Sequence, residues 1–345
     1  MLLTIAIPTF NRPDCIKERI KELSSLPEEL AKMVELLICD NGDFEIPVPD
    51  LAGYTRIRYS KNSKNLGLGG NIECCVKKSE GEFVWLLSDD DQIRTENLDE
   101  LLIRLKQTNS EVIALGDFDE SNASTIQRDL TQSFPQYWTD FNFLSGCIYK
   151  SKEAKNFILN QGLGVLNATY HQVLIALGMY AHGSRVERWE NIFVVDTLTQ
   201  KNYKVRGAFV ARILDLIKLE NQLQDIGLAK EAIVQVRNKT DSHILNYLPR
   251  MSFEYTTRKD FLELLILVFR TWLISNVYPK RMVFLFFGNI LVFTSLLDFR
   301  LGRLNVKFLE LTTHKKLVEY SFSDIWVKTT QSYSSEASTR GYESE

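Results

Sequence analysis

Along the first hundred residues, short apolar runs alternate with stretches whose apolar positions recur at helical spacing. That is the pattern of a largely parallel sheet flanked by helices. Leu2–Ile7 and Val34–Cys39 read as buried strands, Arg56–Ser60 as a short third, Glu82–Leu87 as a fourth and Val112–Leu115 as a fifth. Helices are expected between them over Asp14–Ser25, Gly69–Ser79 and Thr95–Gln107, and Asp40-Asn41-Gly42 is a turn sequence. The middle of the chain is less regular. Phe141–Lys150 predicts a strand feeding a helix from about Lys152, Ala168–Tyr180 a further helix, and Asn191–Val195 a late strand. From about Ala208 the helical pattern dominates, and residues 331–345, rich in Ser, Thr and Glu, are expected to be a disordered tail.

The fourth strand stops at three consecutive carboxylates, Asp89-Asp90-Asp91. Carboxylates at the end of a buried strand face the crevice at the carboxyl edge of the sheet, where like charges repel unless a cation lies among them. Hard divalent ions such as Mg²⁺ or Mn²⁺ suit oxygen ligands and usually arrive with substrate phosphates. An exposed acidic turn ahead of the helix near Thr95 is the plainer alternative. Other polar groups converge on the same edge, however: Thr9, Asn11 and Arg12 after strand one, Asp40 at the end of strand two, and Asn65, Gly67 and Asn71 where the next helix begins. An edge with backbone amides, a carboxylate and a metal site can hold a nucleoside diphosphate, the carboxylate on base or ribose and the metal on the pyrophosphate. The Gly67-x-Gly69-Gly70 stretch is no dinucleotide fingerprint, because it neither follows the first strand nor completes Gly-x-Gly-x-x-Gly.

Four ordered segments resemble glycosyltransferase family 2, the inverting enzymes of the GT-A fold. They are Leu3–Arg12, Glu35–Gly42, Asn65–Asn71 and Gly81–Asp91, and Phe143–Lys152 is similar to the family's acceptor-side strand. The resemblance extends to about residue 195. It implies a GT-A fold: a mostly parallel, Rossmann-like sheet flanked by helices. It also implies that Pro8, Thr9, Asn11 and Arg12 lie against the nucleotide, that Asp40 binds the base, and that Asn65, with Asn71 just beyond it, contacts the donor. Asp89, Asp90 and Asp91 stand at the family's metal-binding DXD motif, with Ser88 where a commoner pattern has its first acid. Inverting transfer also needs a base for the acceptor hydroxyl. The usual acidic motif ahead of a helix is missing, and Ala168-Thr169-Tyr170-His171-Gln172 stands in its place. Members resembling abequosyl- and rhamnosyltransferases carry a similar pattern, so His171 is the candidate base or acceptor contact, alongside Asp91; Asp117 is the rival.

Composition sets limits on this picture. At 345 residues the chain is long for one core, so a large domain plus an appendage is expected. The division expected is a catalytic domain over 1–205 (nucleotide half 1–115, acceptor half 116–205), a helical region over 206–330, and the tail. A formal net charge of −3 with 25% charged residues gives no support to nucleic-acid binding. Five cysteines without metal-site spacing read as reduced thiols of a cytoplasmic protein, and no basic leader precedes the first strand. Phe261–Val277 and Met282–Leu297 are the most apolar stretches, the second only about sixteen residues long against the roughly 20 that a spanning helix needs. Lys280, Arg281, Arg300, Arg303, Lys307, Lys315 and Lys316 edge them. Residues 261–316 therefore suit the inner face of an anionic membrane, with a buried hairpin or a homodimer contact as alternatives. The function expected is transfer of a sugar from a nucleoside-diphosphate donor to a saccharide or lipid-linked saccharide in bacterial surface polysaccharide synthesis, with Mn²⁺ or Mg²⁺. A sugar nucleotidyltransferase would want a Gly-rich basic loop after strand one, which Pro8-Thr9-Phe10-Asn11 is not; a non-catalytic sugar-nucleotide or polysaccharide-binding scaffold is the remaining alternative.

Overall fold

The computed structural model describes residues 1–43, 46, 56–116, 127–129, 131–161, 170–190, 193–195, 219 and 222–239. The expected membrane-facing stretch 261–316, the tail and Asp117 lie outside the described residues. The strands β1 (Leu3–Thr9), β2 (Val34–Asp40), β3 (Arg56–Lys61) and β4 (Phe83–Leu86) form where the apolar runs predict them. So do the helices α1 (Pro13–Ser24), α3 (Gly67–Lys78) and α4 (Leu98–Gln107); a short helix, α2 (Glu28–Ala31), precedes β2, and another, α5 (Phe134–Tyr137), lies further along. Proline at the first position of α1 suits a helix start, since its missing N–H has no partner there anyway.

The main sheet has the order β3-β2-β1-β4-β8-β6-β9-β7, with β6 over Val112–Gly116, β7 over Gln127–Asp129, β8 over Cys147–Lys150 and β9 over Val186–Glu190. β3, β2, β1 and β4 run parallel; β8 is antiparallel between β4 and β6; β9 runs parallel to β6; and β7 is antiparallel at the edge. One face buries Leu3, Ile5, Ile7, Leu36, Ile38, Phe83 and Trp85 against Ile16, Ile20 and Leu23 of α1 and Leu98, Leu101 and Leu105 of α4. The strand residues alternate by two and the helix residues by three and four, which is why the sequence pattern was readable. The other face carries α3, packed with α6 (Ser151–Gln161) and α7 (His171–Ala181). α6 and α7 approach so closely that a Cβ at Gly178 of α7 would come within 2.0 Å of the Phe157 ring.

Three expectations change. The strand expected over Phe141–Lys150 is a strand only from Cys147; Trp138–Asn142 and Leu144–Gly146 are 3₁₀ turns that carry the chain over the carboxyl edge. Gly146 allows this, since a Cβ there would meet the Leu115 carbonyl oxygen at 2.6 Å. The late strand is shorter than expected: Val194–Val195, β10, pairs antiparallel with β5 (Gln92–Ile93), just after the aspartates. β7 and β9 gave no apolar alternation and were not anticipated. Leu219, Leu223, Ile226 and Val236 are also buried, and the Val236 carbonyl accepts the Trp138 indole N–H at 3.3 Å. All described residues belong to one unit comprising Met1–Lys201 and Lys218–Lys239, and among the described residues no helix is long and apolar enough to cross a membrane.

Gly81, in the bend before β4, lies where a Cβ would come within 2.5 Å of the Thr4 backbone nitrogen and 2.7 Å of the Leu3 carbonyl carbon. Backbone cannot step aside as a flexible side chain can. Gly81→Ala is therefore expected to lower the unfolding free energy by about 1–3 kcal/mol, read from urea midpoints at unchanged slope.

Candidate active site

β1, β2 and β4 end on one edge because their parallel register sets Thr9 opposite Asp40 and Ala6 opposite Leu86. Past β1 the chain turns sharply at Asn11, whose φ of 55° is in the left-handed region that asparagine tolerates. Its amide holds the turn by donating to Asp43 Oδ2 at 2.9 Å and accepting the Asp43 N–H at 2.8 Å. Arg12 is thereby directed back at the aspartates. Its Nη1 lies 2.7 Å from Asp89 Oδ1 and 3.0 Å from Asp90 Oδ2.

The three carboxylates have three different settings. Asp89 is buried and also accepts the Thr9 hydroxyl at 2.7 Å; burial pushes its pKa above the ordinary value although Thr9 and Arg12 pull the other way. Asp90, half-buried, accepts the Ser88 hydroxyl at 2.5 Å. Asp91, again buried, accepts the Ser145 hydroxyl at 2.5 Å, and Ser145 Oγ in turn accepts the Ser88 N–H at 2.8 Å. The Asp91 carbonyl is bonded by Arg19, which also pairs with Glu22 at 2.6 Å. Asp89 and Asp90 thus converge on one point while Asp91 is tied to the segment before β8. Among the described residues no three His, Cys, Asp or Glu side chains are grouped to hold a metal ion. What the edge offers is two carboxylate oxygens converging on one cationic atom. That fits a hard ion whose remaining ligands are phosphate oxygens and water.

The expected nucleotide contacts divide into exposed and enclosed groups. Asn11, Arg12 and Asn65 reach solvent, and Asn65 Oδ1 accepts the Gly67 N–H at 2.8 Å to start α3. Pro8 is buried in β1 opposite Cys39. Asp40 is fully buried: Oδ1 accepts the Gly42 N–H at 2.7 Å, and Oδ2 accepts Tyr59 at 2.7 Å and Lys61 at 3.0 Å. In this arrangement it shapes the loop that follows it rather than presenting a free oxygen. Asn71 is likewise turned inward, donating to the carbonyls of Cys39 at 2.9 Å and Thr9 at 3.3 Å and accepting from Asn62 at 2.9 Å. Asn41 and Asn62, which the sequence reading did not single out, complete this lattice at 2.8 Å from one another. Turn-forming asparagines beside strand ends were their only signal.

His171 opens α7 and is fully buried. Its Nε2 lies 3.2 Å from Glu73 Oε1 of α3, off the alignment of a hydrogen bond, and among the described residues neither ring nitrogen has a hydrogen-bond partner. Glu73 is buried as well; burial opposes its charge, but His171 and Lys77, the latter at 2.6 Å, hold its pKa below the ordinary value. Next along, Gln172 Nε2 donates to the Asn142 carbonyl at 3.3 Å, on the same segment that presents Ser145 to Asp91. Glu73, Ser145 and Arg19 were missed in the sequence because nothing local marks a residue whose partners come from distant strands.

The profile of the family "Glycosyl transferase family 2" matches residues 4–163, spanning β1 through α6. This stretch is a family 2 glycosyltransferase domain. A cholesterol galactosyltransferase of Borreliella burgdorferi is 20% identical over 277 residues, 73% of this chain and 75% of that protein. The abequosyltransferase RfbV of Salmonella typhimurium is 27% identical over 104 residues, 28% of this chain and 31% of its own. Among solved structures, the mannosyltransferase PcManGT of Pyrobaculum calidifontis, in complex with GDP-Man and Mn²⁺, superimposes with a TM-score of 0.50 at 12% identity over 86% of each chain. The fold of the transferase is GT-A, as the sequence led us to expect.

The raised pKa of Asp89 has a consequence for stability. A carboxyl whose folded pKa exceeds its unfolded one stabilises below the unfolded value, and that contribution is lost as pH rises through the folded value. Asp89→Asn is therefore expected to unfold at higher urea than the wild-type transferase at pH 7 without divalent ions. The gain should shrink as pH falls toward about 4, near the unfolded carboxyl range; urea midpoints across that pH range check both parts.

Proposed function

We propose that the transferase moves a sugar from a nucleoside-diphosphate donor onto an acceptor hydroxyl with inversion, using Mn²⁺ or Mg²⁺. The observation that carries this reading is the convergence of Asp89 Oδ1 and Asp90 Oδ2 on one cation-binding point at the carboxyl edge. Asp89 and Asp90 would hold the ion, and Ser145 would keep the Asp91 carboxylate at its flank. When bound, such an ion neutralises charge developing on the departing diphosphate. Asn11, Arg12 and Asn65 provide the exposed donor contacts, on the walls fixed by Pro8, Thr9, Asp40 and Asn71.

For the acceptor, His171 is the proposed base. One imidazole nitrogen lies 3.2 Å from the Glu73 carboxylate, which can orient the ring, while the other has no hydrogen-bond partner among the described residues and can take a proton. Proton removal as the hydroxyl attacks is the step this pair would serve. The two curated relatives act, by their names, on cholesterol and in abequosyl transfer, which favours a surface polysaccharide or glycolipid product. The basic, apolar stretch 261–316 gives a peripheral station on the inner membrane face a physical basis.

Incubation with a panel of nucleotide sugars, with and without Mn²⁺, tests the reaction class. Release of nucleoside diphosphate that depends on the ion supports transfer. Pyrophosphate release would mark a nucleotidyltransferase, and no turnover with any donor a binding scaffold. Asp90→Ala is expected to reduce turnover by at least about 10²-fold with a near-native urea midpoint; turnover close to wild type would overturn the metal assignment. His171→Ala is expected to lower kcat by about 10²–10⁴-fold while donor KM changes little, and an unchanged kcat would remove His171 from the chemistry.

A further inference from the structure

The point on which the aspartates converge holds a cation belonging to the chain itself. Arg12 Nη1 bridges Asp89 Oδ1 at 2.7 Å and Asp90 Oδ2 at 3.0 Å. Arginine on a single carboxylate usually forms a two-pronged fork. Here one nitrogen lies between oxygens of two residues, as a small ion would. A divalent ion needs those oxygens at roughly 2.1 Å and cannot share them with a guanidinium, because cations that close repel strongly in a partly buried site.

We propose that Arg12 is a built-in counter-ion for the metal site. It holds Asp89 and Asp90 together when no metal is bound, leaves when the ion takes their oxygens, and pairs with the diphosphate that arrives with the ion. This inference rests on the metal-dependent reading above. The asymmetry of burial identifies the member that moves: the Arg12 side chain is 33% exposed, against 7% for Asp89 and 14% for Asp90. The carboxylates are further anchored by Thr9 and Ser88, whereas among the described residues the side-chain bonds of Arg12 are the two to the aspartates. Arg12 also stands outside α1, as the residue preceding its first turn, so its side chain can swing without unwinding the helix.

A thermodynamic coupling follows. Metal alone must displace Arg12 and leave it without an anion, whereas metal with a diphosphate gives the guanidinium a new partner. The two ligands should therefore strengthen one another's binding, with Arg12 carrying the coupling. The cation would be retained chiefly when a donor accompanies it.

Calorimetric titration of Mn²⁺, alone and with UDP, dTDP, CDP or GDP, into the wild type, Arg12→Gln and Arg12→Lys tests this without measuring turnover. The wild type should bind Mn²⁺ weakly alone and at least about fivefold more tightly with the preferred diphosphate. Arg12→Gln should bind Mn²⁺ alone roughly tenfold more tightly than the wild type, with the coupling to diphosphate reduced toward one. Arg12→Lys, which keeps the charge, should stay weak for Mn²⁺ alone. If Arg12→Gln binds Mn²⁺ alone no more tightly than the wild type, the counter-ion role is overturned while the metal site stands. No Mn²⁺ binding by any variant with any diphosphate would overturn the metal reading and the counter-ion with it. Should Arg12→Gln fail to fold, the side-chain Nε–H resonance of wild-type Arg12 must shift when Mg²⁺ and the preferred diphosphate are added, and an unmoved signal would overturn the proposal.

Discussion

Crowding negative charge at the end of a buried strand is the constraint around which this domain is arranged. Three successive carboxylates on one turn repel one another, and burial of Asp89 and Asp91 takes away the water that would screen them. Their partners come from different parts of the chain: Thr9 from the end of β1, Arg12, shared by Asp89 and Asp90, from the loop after it, Ser88 from the turn itself, and Ser145 from the segment before β8. Removing one carboxylate's partner leaves a charge unmatched at low dielectric, so these ties hold the edge in register more firmly than surface ion pairs could.

α3 is the second organising element. Through Asn71 it clamps the backbone ends of β1 and β2, and through Glu73 it meets His171 of α7. One short helix therefore sets both the floor of the proposed donor site and the setting of the proposed base. Its buried Cys74 is part of that packing, not a reactive group. Cys74 has its thiol pKa raised, first by hydrogen bonding with Cys39 and then by burial. Thiols kept protonated in this way are poor nucleophiles and poor metal ligands.

Much of the nucleotide half was legible in the sequence. β1, β2, β4, α1 and α4 were anticipated because their buried faces repeat at two or at three and four residues, a signal each segment carries alone. The aspartates, Thr9 and Arg12 were also legible, since strand ends in a parallel sheet share an edge whatever the loops do. The settings of Asp40 and Asn71 were less so: both are expected as ligand contacts, and in the structure both also make bonds inside the protein. Whether a polar side chain faces outward or inward depends on neighbours tens of residues away, Tyr59 and Lys61 for Asp40 and Cys39 and Thr9 for Asn71.

By itself the sequence determined the alternation of strands and helices, the carboxylate-rich edge and the likeness to a sugar-transferring family, because periodicity and strand-end chemistry are local properties. Only the tertiary structure decided that β8 enters antiparallel between β4 and β6, that Ser145 claims Asp91, and that Arg12 rather than a neighbouring amide bridges Asp89 and Asp90. Those are long-range pairings, and they depend on which distant segments the packed sheet brings within about 3 Å, a selection that no stretch of chain encodes on its own.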